Sequence, residues 1–239
     1  MDTQKQFTND YEDEQDSCIF EFDKPEVRMP FIRKVYAILS VQLIFSAGLV
    51  ALSVFNNDYR DFVMAYPVVL FTAIILSIIL MYALVCYKVC ARKVPLNFIL
   101  LSLFTVCEAY MISAITMAAD PQMVLIAAIL TAGIVVSLTI YAITTKTDFT
   151  MMGGILFMVG ITLLLASLLS IFFRNRLMEI VISACSVVLF GLYLIYDTQL
   201  IIGGKAMELS VDDYIIGALM LYLDIVQIFL EILAILGDN

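Results

Sequence analysis

Residues 212–233 read DDYIIGALMLYLDIVQIFLEIL. From Tyr214 onward this is a nearly unbroken apolar run, and a helix of about 20 apolar residues crosses a bilayer. Two acids interrupt it. Asp224 falls about ten residues in, close to mid-bilayer, where an acid costs roughly 2.5–3.5 kcal/mol on insertion scales. The stretch is thus a membrane helix that carries an expensive carboxylate. Its polar positions share one face: Asp213, Gly217, Asp224, Gln227 and Glu231 differ by 4, 7, 3 and 4 residues, the spacing of a single helical stripe.

Six further stretches meet the same length criterion. With the last they give Val35–Phe55, Tyr66–Tyr87, Leu96–Met117, Gln122–Ile143, Thr150–Phe173, Met178–Ile202 and Tyr214–Leu236. The fold class is therefore all-α: an integral membrane bundle of seven transmembrane helices. Composition agrees, with 63% hydrophobic residues, 15% charged residues and a mean hydropathy of +1.02 over 239 residues. A soluble domain is about half apolar and about a quarter charged, which excludes a soluble enzyme. Pro30, Pro67, Pro95 and Pro121 are placed at or just before helix starts, where a missing N–H is harmless. Gly203–Gly204 and Gly237 are placed at helix ends. The links are short, so consecutive helices are expected to be antiparallel neighbours. No internal repeat is visible, which gives an inverted-repeat transporter little support.

The net charge of −9 has two sources. Residues 1–27 hold nine acids against Lys5 and Lys24, which accounts for −7. This stretch reads as a disordered acidic tail, with residues 28–239 as the membrane domain. It lacks the basic start and apolar middle of a signal peptide, so the first span serves as the insertion signal. Basic residues orient the bundle. With the N-terminus in the cytosol, the inner segments hold Lys5, Lys24, Arg28, Arg33, Lys34, Lys88, Arg92, Lys93, Lys146 and Lys205, and the outer loops only Arg60, Arg174 and Arg176. A re-entrant last span would return the C-terminus to the cytosol, and charge counting does not decide this. Histidine and tryptophan are absent, so there is no histidine metal site or pH switch. The five cysteines, Cys18, Cys86, Cys90, Cys107 and Cys185, form no disulfide framework. They read as small hydrophobes, with Cys86 and Cys90 as alternative palmitoylation positions.

Three acids lie within the spans: Glu108, Asp197 and Asp224. No Lys or Arg lies deep enough to neutralise them; Lys88 and Arg92, at the end of the second helix, reach Asp197 at most. The acids must be protonated, share protons or bind a cation, the alternative being three independent structural carboxyls. Two facing carboxylates in a low dielectric cannot easily both ionise, so such a pair titrates as a unit. That makes a proton-sensitive latch without histidine. Span positions leave a gap, however. Asp197 is near one end of the sixth helix, while Asp224 lies about 15 Å along the seventh. For them to meet, the sixth must continue inward or the seventh must start shallow. Gln199 points away from this site. Asp212 and Asp213 suit the N-terminus of the seventh helix as capping charges or as an ion mouth. Gly153, Gly154 and Gly160 read as packing positions. Glu179, Arg174 and Arg176 read as a solvated rim, and Asp148 with Lys146 as a surface pair.

The stretches FIRKVYAILSVQL (31–43), TKTDF (145–149), IYDTQLIIGG (195–204) and DDYIIGALMLYLDIVQIFLEIL (212–233) resemble the transmembrane Bax inhibitor motif family. The acidic tail and RKVPLNFILLSLFTVCEAY (92–110) are most similar to its lifeguard and Golgi anti-apoptotic branch. The resemblance covers residues 28–236. It implies a seven-helix bundle with the last helix at the centre, a pH-regulated calcium leak and suppression of stress-induced cell death. It implies that Asp197 and Asp224 form the two-aspartate sensor and gate. Asp212 matches an acid tied to ion conduction, and Glu108 the acid of the FTxxEA segment. One departure stands out: where some bacterial relatives carry an arginine on the second helix, this chain reads CYKVCARK, with Cys90 at that place and Lys88 or Arg92 as substitutes.

The leading expectation is a proton-gated calcium leak channel. Asp197 and Asp224 are then the gate and transient calcium ligands, and Glu108, Asp212, Asp213, Gln227 and Glu231 the ion-pathway candidates. Lys88 and Arg92 would stabilise the gate. No cofactor is expected, calcium being the transported ion. Partners would be membrane lipid, calcium, protons and apoptosis-regulating proteins bound through the tail, with no nucleic acid. The location would be endoplasmic reticulum or Golgi, with the plasma membrane as a further option. Two other classes compete. An intramembrane aspartyl protease would use Asp197 and Asp224, but the GxGD and PAL motifs are missing. A non-conducting scaffold would act through the tail, by folding on a partner or by phosphorylation at Thr3, Thr8 or Ser17.

Overall fold

Seven helices long and apolar enough to cross a bilayer are present, in a computed structural model that describes residues 25–87, 91–173 and 175–237, with side chains from residue 28. The helices are α1 (Pro25–Phe55), α2 (Asn57–Ala65), α3 (Pro67–Cys86), α4 (Leu96–Thr116), α5 (Pro121–Thr144), α6 (Gly153–Ser170), α7 (Arg176–Ile202) and α8 (Tyr214–Leu236). A 3₁₀ turn, Thr150–Met152, leads into α6. All but the short α2 are membrane spans. Most of the tail, with Lys5, Lys24, Cys18 and the three phosphorylation candidates, lies outside the described residues, as do Lys88, Cys90 and Arg174.

The helix starts follow the sequence at three prolines and depart at one. Pro67 and Pro121 open α3 and α5, and Pro95 caps α4. Pro30 does not start a helix; it sits inside α1, which begins at Pro25 within the stretch read as tail. A proline so near the N-terminus removes only an early ladder bond, so the helix continues through it.

The last helix is the axis of the bundle. Half of the residues in its membrane window are buried, against 6% for the span made by the 3₁₀ turn and α6. It packs on α7, α1, α5 and, more lightly, α4. Tyr222, Leu219, Leu221, Ile215 and Ile228 of α8 are fully enclosed. The expectation that consecutive spans are neighbours holds for α3–α4, α6–α7 and α7–α8 but fails elsewhere. α1 packs on α4 rather than α3, and α5 packs on α7 and α8. The unforeseen α2 explains the first displacement. Its 9 residues carry the chain sideways, and it is pinned under α4 by Tyr59 Oη to Ser113 Oγ (2.7 Å) and Arg60 to the Met117 carbonyl (3.1 Å). The second follows from the core: α8 touches both α4 and α5, and α7 touches both α5 and α6, so these pairs meet through a third helix.

Candidate functional site

Gly217 sets the register that brings the two aspartates together. A Cβ there would lie 3.3 Å from Ile201 Cγ1 of α7 and 3.4 Å from Val35 Cγ2 of α1, so three helices close in on a residue without a side chain. From Ile201 inward, Asp197 is about 6 Å along α7; from Gly217 inward, Asp224 is about 10 Å along α8. The remaining offset is within reach of two side chains. The gap is therefore closed because the first turn of α8 overlaps the end of α7. Asp197 and Asp224 are 4% and 5% exposed, and their carboxyls lie within hydrogen-bonding reach of each other. Asp197 Oδ1 and Asp224 Oδ2 are fully buried and take no hydrogen bond from a protein donor. Two carboxyl groups at that range attract only with a proton between them.

The stripe on α8 meets α7 at Gly217, Asp224 and Glu231, while Asp213 turns to Arg92. Below Asp224 come the half-buried Gln227 and then Glu231, which meets Ser183 and Ser186 of α7. Glu231 opens into a vestibule of about 610 Å³ at the far end of the bundle, lined also by Asp120, Glu179 and Arg176. Arg176 is more than a solvated rim residue. It lies 3.8 Å from Glu179 and caps the end of α8 through the Ile235 and Gly237 carbonyls. Tyr193, unnoticed in the sequence, and Tyr196 stand beside the aspartates on α7. Their hydroxyls approach Gly160 and Gly153 of α6 at 3.4 and 2.9 Å from where a Cβ would be, which makes those two glycines packing positions. Gly154 faces open space and is not one.

The other candidates lie apart from the pair. Glu108, half-buried on α4, meets Ser77 of α3. Gln199 does point elsewhere: it takes the Phe149 N–H at 2.8 Å and donates to the Thr147 carbonyl at 3.0 Å. Asp148 does not pair with Lys146. It accepts from the Thr150 hydroxyl (2.6 Å) and N–H (2.9 Å) and from the Ala206 N–H (2.9 Å). Those bonds, the Thr150 hydroxyl first, hold its carboxyl below the ordinary aspartate range.

Arg92 does not reach toward Asp197. It makes a two-pronged pair with Asp213 at the mouth of α8, Nε to Oδ1 at 2.7 Å and Nη2 to Oδ2 at 2.8 Å. That bond keeps the Arg92 guanidinium charged above its already high range. Asp213 is at the helix start but makes no side-chain capping bond; its oxygens are committed to Arg92. Asp212 is exposed beside it. Lys34 lies 3.3 Å from the centre of the Tyr214 ring, and Asn97 donates to the Tyr214 hydroxyl at 2.9 Å. The first turn of α8 is thus held from two sides. No group of three or more Cys, Asp or Glu among the described residues is arranged to hold a metal ion.

The model of the family described as "Inhibitor of apoptosis-promoting Bax1" matches residues 28–239. The chain belongs to this Bax inhibitor family. It is 35% identical over 223 residues to protein lifeguard 3 of Homo sapiens, covering 92% of this chain and 72% of that protein. The mouse (Mus musculus) protein lifeguard 3 is 34% identical over the same length. The Golgi anti-apoptotic protein of Vaccinia virus (strain Lister) is 34% identical over 210 residues, 88% of this chain and 86% of that protein. The chain is therefore a membrane protein of the anti-apoptotic Bax inhibitor and lifeguard group. In this Bax inhibitor family member the matched region coincides with the seven-helix bundle, and both aspartates lie inside it.

Proposed function

We propose that the protein is a pH-sensitive calcium leak pathway of an intracellular membrane, endoplasmic reticulum or Golgi. By lowering stored calcium it suppresses stress-induced cell death. The observation that carries this reading is a buried pair of carboxyls, Asp197 and Asp224, in mutual contact on two helices. With its shared proton the pair bridges α7 and α8 and closes the path. Without it two negative charges face each other in a low dielectric, and the repulsion drives α8 away from α7. The same deprotonated oxygens are calcium ligands. Two carboxylates leave most of calcium's six to eight positions to water, which suits an ion in transit.

The polar stripe supports the route. It leads from the vestibule past Glu231 and Gln227 to Asp224, and the Arg92–Asp213 pair closes the opposite mouth. With the N-terminus cytosolic, the vestibule faces the lumen. The test is calcium flux into or out of proteoliposomes across pH. Asp224→Asn is expected to remove the pH dependence seen with wild type, and a variant with the wild-type profile overturns the latch.

A further inference from the structure

α7 ends under a buried arginine from the other end of the chain. Arg28, 6% exposed, donates from Nε to the Ile201 carbonyl (2.9 Å), from Nη2 to Leu200 (2.6 Å) and from Nη1 to Leu209 (2.8 Å). Leu200 and Ile201 are among the last carbonyls of α7, which have no partner inside their helix. A cation there also opposes the negative end of the helix dipole. The loop after α7 is stitched to the same point, with the Leu209 N–H on the Leu200 carbonyl at 2.8 Å and Glu208 3.6 Å from Arg28.

Gly203 makes this approach possible. Its φ is +76°, and a Cβ there would sit 2.8 Å from both Cζ and Nε of Arg28. Any other residue would be strained and would displace the guanidinium. The same helix α1 that carries Arg28 touches Gly217 of α8 through Val35. One rigid element therefore grips the end of α7 and the first turns of α8.

We propose that Arg28 is a positioning residue for the aspartate pair: it fixes the axial stagger of α7 against α8 that puts Asp197 in contact with Asp224. Ile201 is four residues, about 6 Å, from Asp197, so slack at the end of α7 passes directly to the carboxyl. The inference rests on the leak reading above. The ionisable side chains nearest the pair are Tyr193 and Tyr196 on α7, with Glu231 two turns further along α8. Tyr222 of α8 turns instead to Ser46 of α1 at 2.8 Å, Tyr141 of α5 lies against Phe149, and α6 carries no ionisable side chain. None of them bonds Arg28 among the described residues; its bonds to the Leu200 and Ile201 carbonyls are what link it to the pair.

The experiment compares Arg28→Lys, Arg28→Gln and Gly203→Ala with wild type in two assays. Lysine keeps the charge that orients the first span but not the three-pronged fork, which separates positioning from insertion. Hydrogen exchange of the purified protein over residues 199–210 is expected to quicken about tenfold in all three variants. In proteoliposomes, the midpoint of the calcium flux against pH is expected to move by about threefold or more in proton concentration. Unchanged exchange overturns the clamp. Faster exchange with an unchanged midpoint reduces Arg28 to a structural cap and overturns the positioning role. A wild type without pH-dependent flux, in the presence of faster exchange, places the failure in the leak reading, and the positioning role falls with it.

Discussion

Removing Arg92 should harm the protein more than removing its partner Asp213, although each change breaks the same two bonds. The Arg92 side chain is 38% exposed and that of Asp213 is 9% exposed. Arg92→Ala leaves a carboxylate buried without its counter-charge. Asp213→Asn leaves an arginine that turns into water. Exposed pairs contribute about 0–1 kcal/mol, and stripping a fully buried charge of its partner costs about 3–5 kcal/mol. This pair has one end in each regime. We therefore expect a loss of about 2 kcal/mol for Arg92→Ala and about 1 kcal/mol for Asp213→Asn. For a chain of this size, that corresponds to a fall in melting temperature of about 4–8 °C and 2–4 °C. The double variant should lose less than the sum, by about 1 kcal/mol of coupling. The assay is thermal unfolding of the detergent-solubilised variants. Equal losses, or strict additivity, would refute the assignment of Asp213 as the buried partner.

Two further outcomes concern Gly217 and the loop carboxylate Asp148. Gly217→Ala inserts a methyl 3.3–3.4 Å from Ile201, Leu209 and Val35; it should cost about 1–3 kcal/mol as overpacking and weaken the pH dependence of flux, which flux and melting measured together would check. Asp148 has a lowered pKa, so its contribution is present above the unfolded value and lost as pH falls through the folded one. Its hold on Thr150 and Ala206 should therefore be unchanged at neutral pH and released only in acid below the ordinary aspartate range, and amide exchange at Thr150 and Ala206 should show this for wild type and no such step for Asp148→Asn.

The spans were legible because each needs only local composition. Asp197 and Asp224 stood out for the same reason, being costly where they lie. What composition could not give is which helices touch. Arg28 finds its carbonyls 172–181 residues away, and in sequence it counts only as one more positive charge at a membrane edge. Arg92 was assigned to the wrong acid because the descent from its loop to Asp197 could not be weighed against Asp213, 121 residues on. The neighbour rule failed at α2, whose polar and charged residues gave it no place among apolar spans. Gly203 and Gly217 carried the missing signal: one permits the approach of Arg28, the other the stagger of α7 and α8.

In the proposed leak pathway Asp197 and Asp224 hold one proton between them, and its loss changes the path. Infrared spectroscopy of the protonated-carboxyl stretch tests it most directly, as the difference between wild type and the Asp197→Asn/Asp224→Asn double variant across pH. The expected result is a band present only in wild type that disappears over the same pH range in which calcium flux changes. A band that survives in the double variant, or that titrates apart from the flux by more than about one pH unit, would contradict the shared proton as the switch.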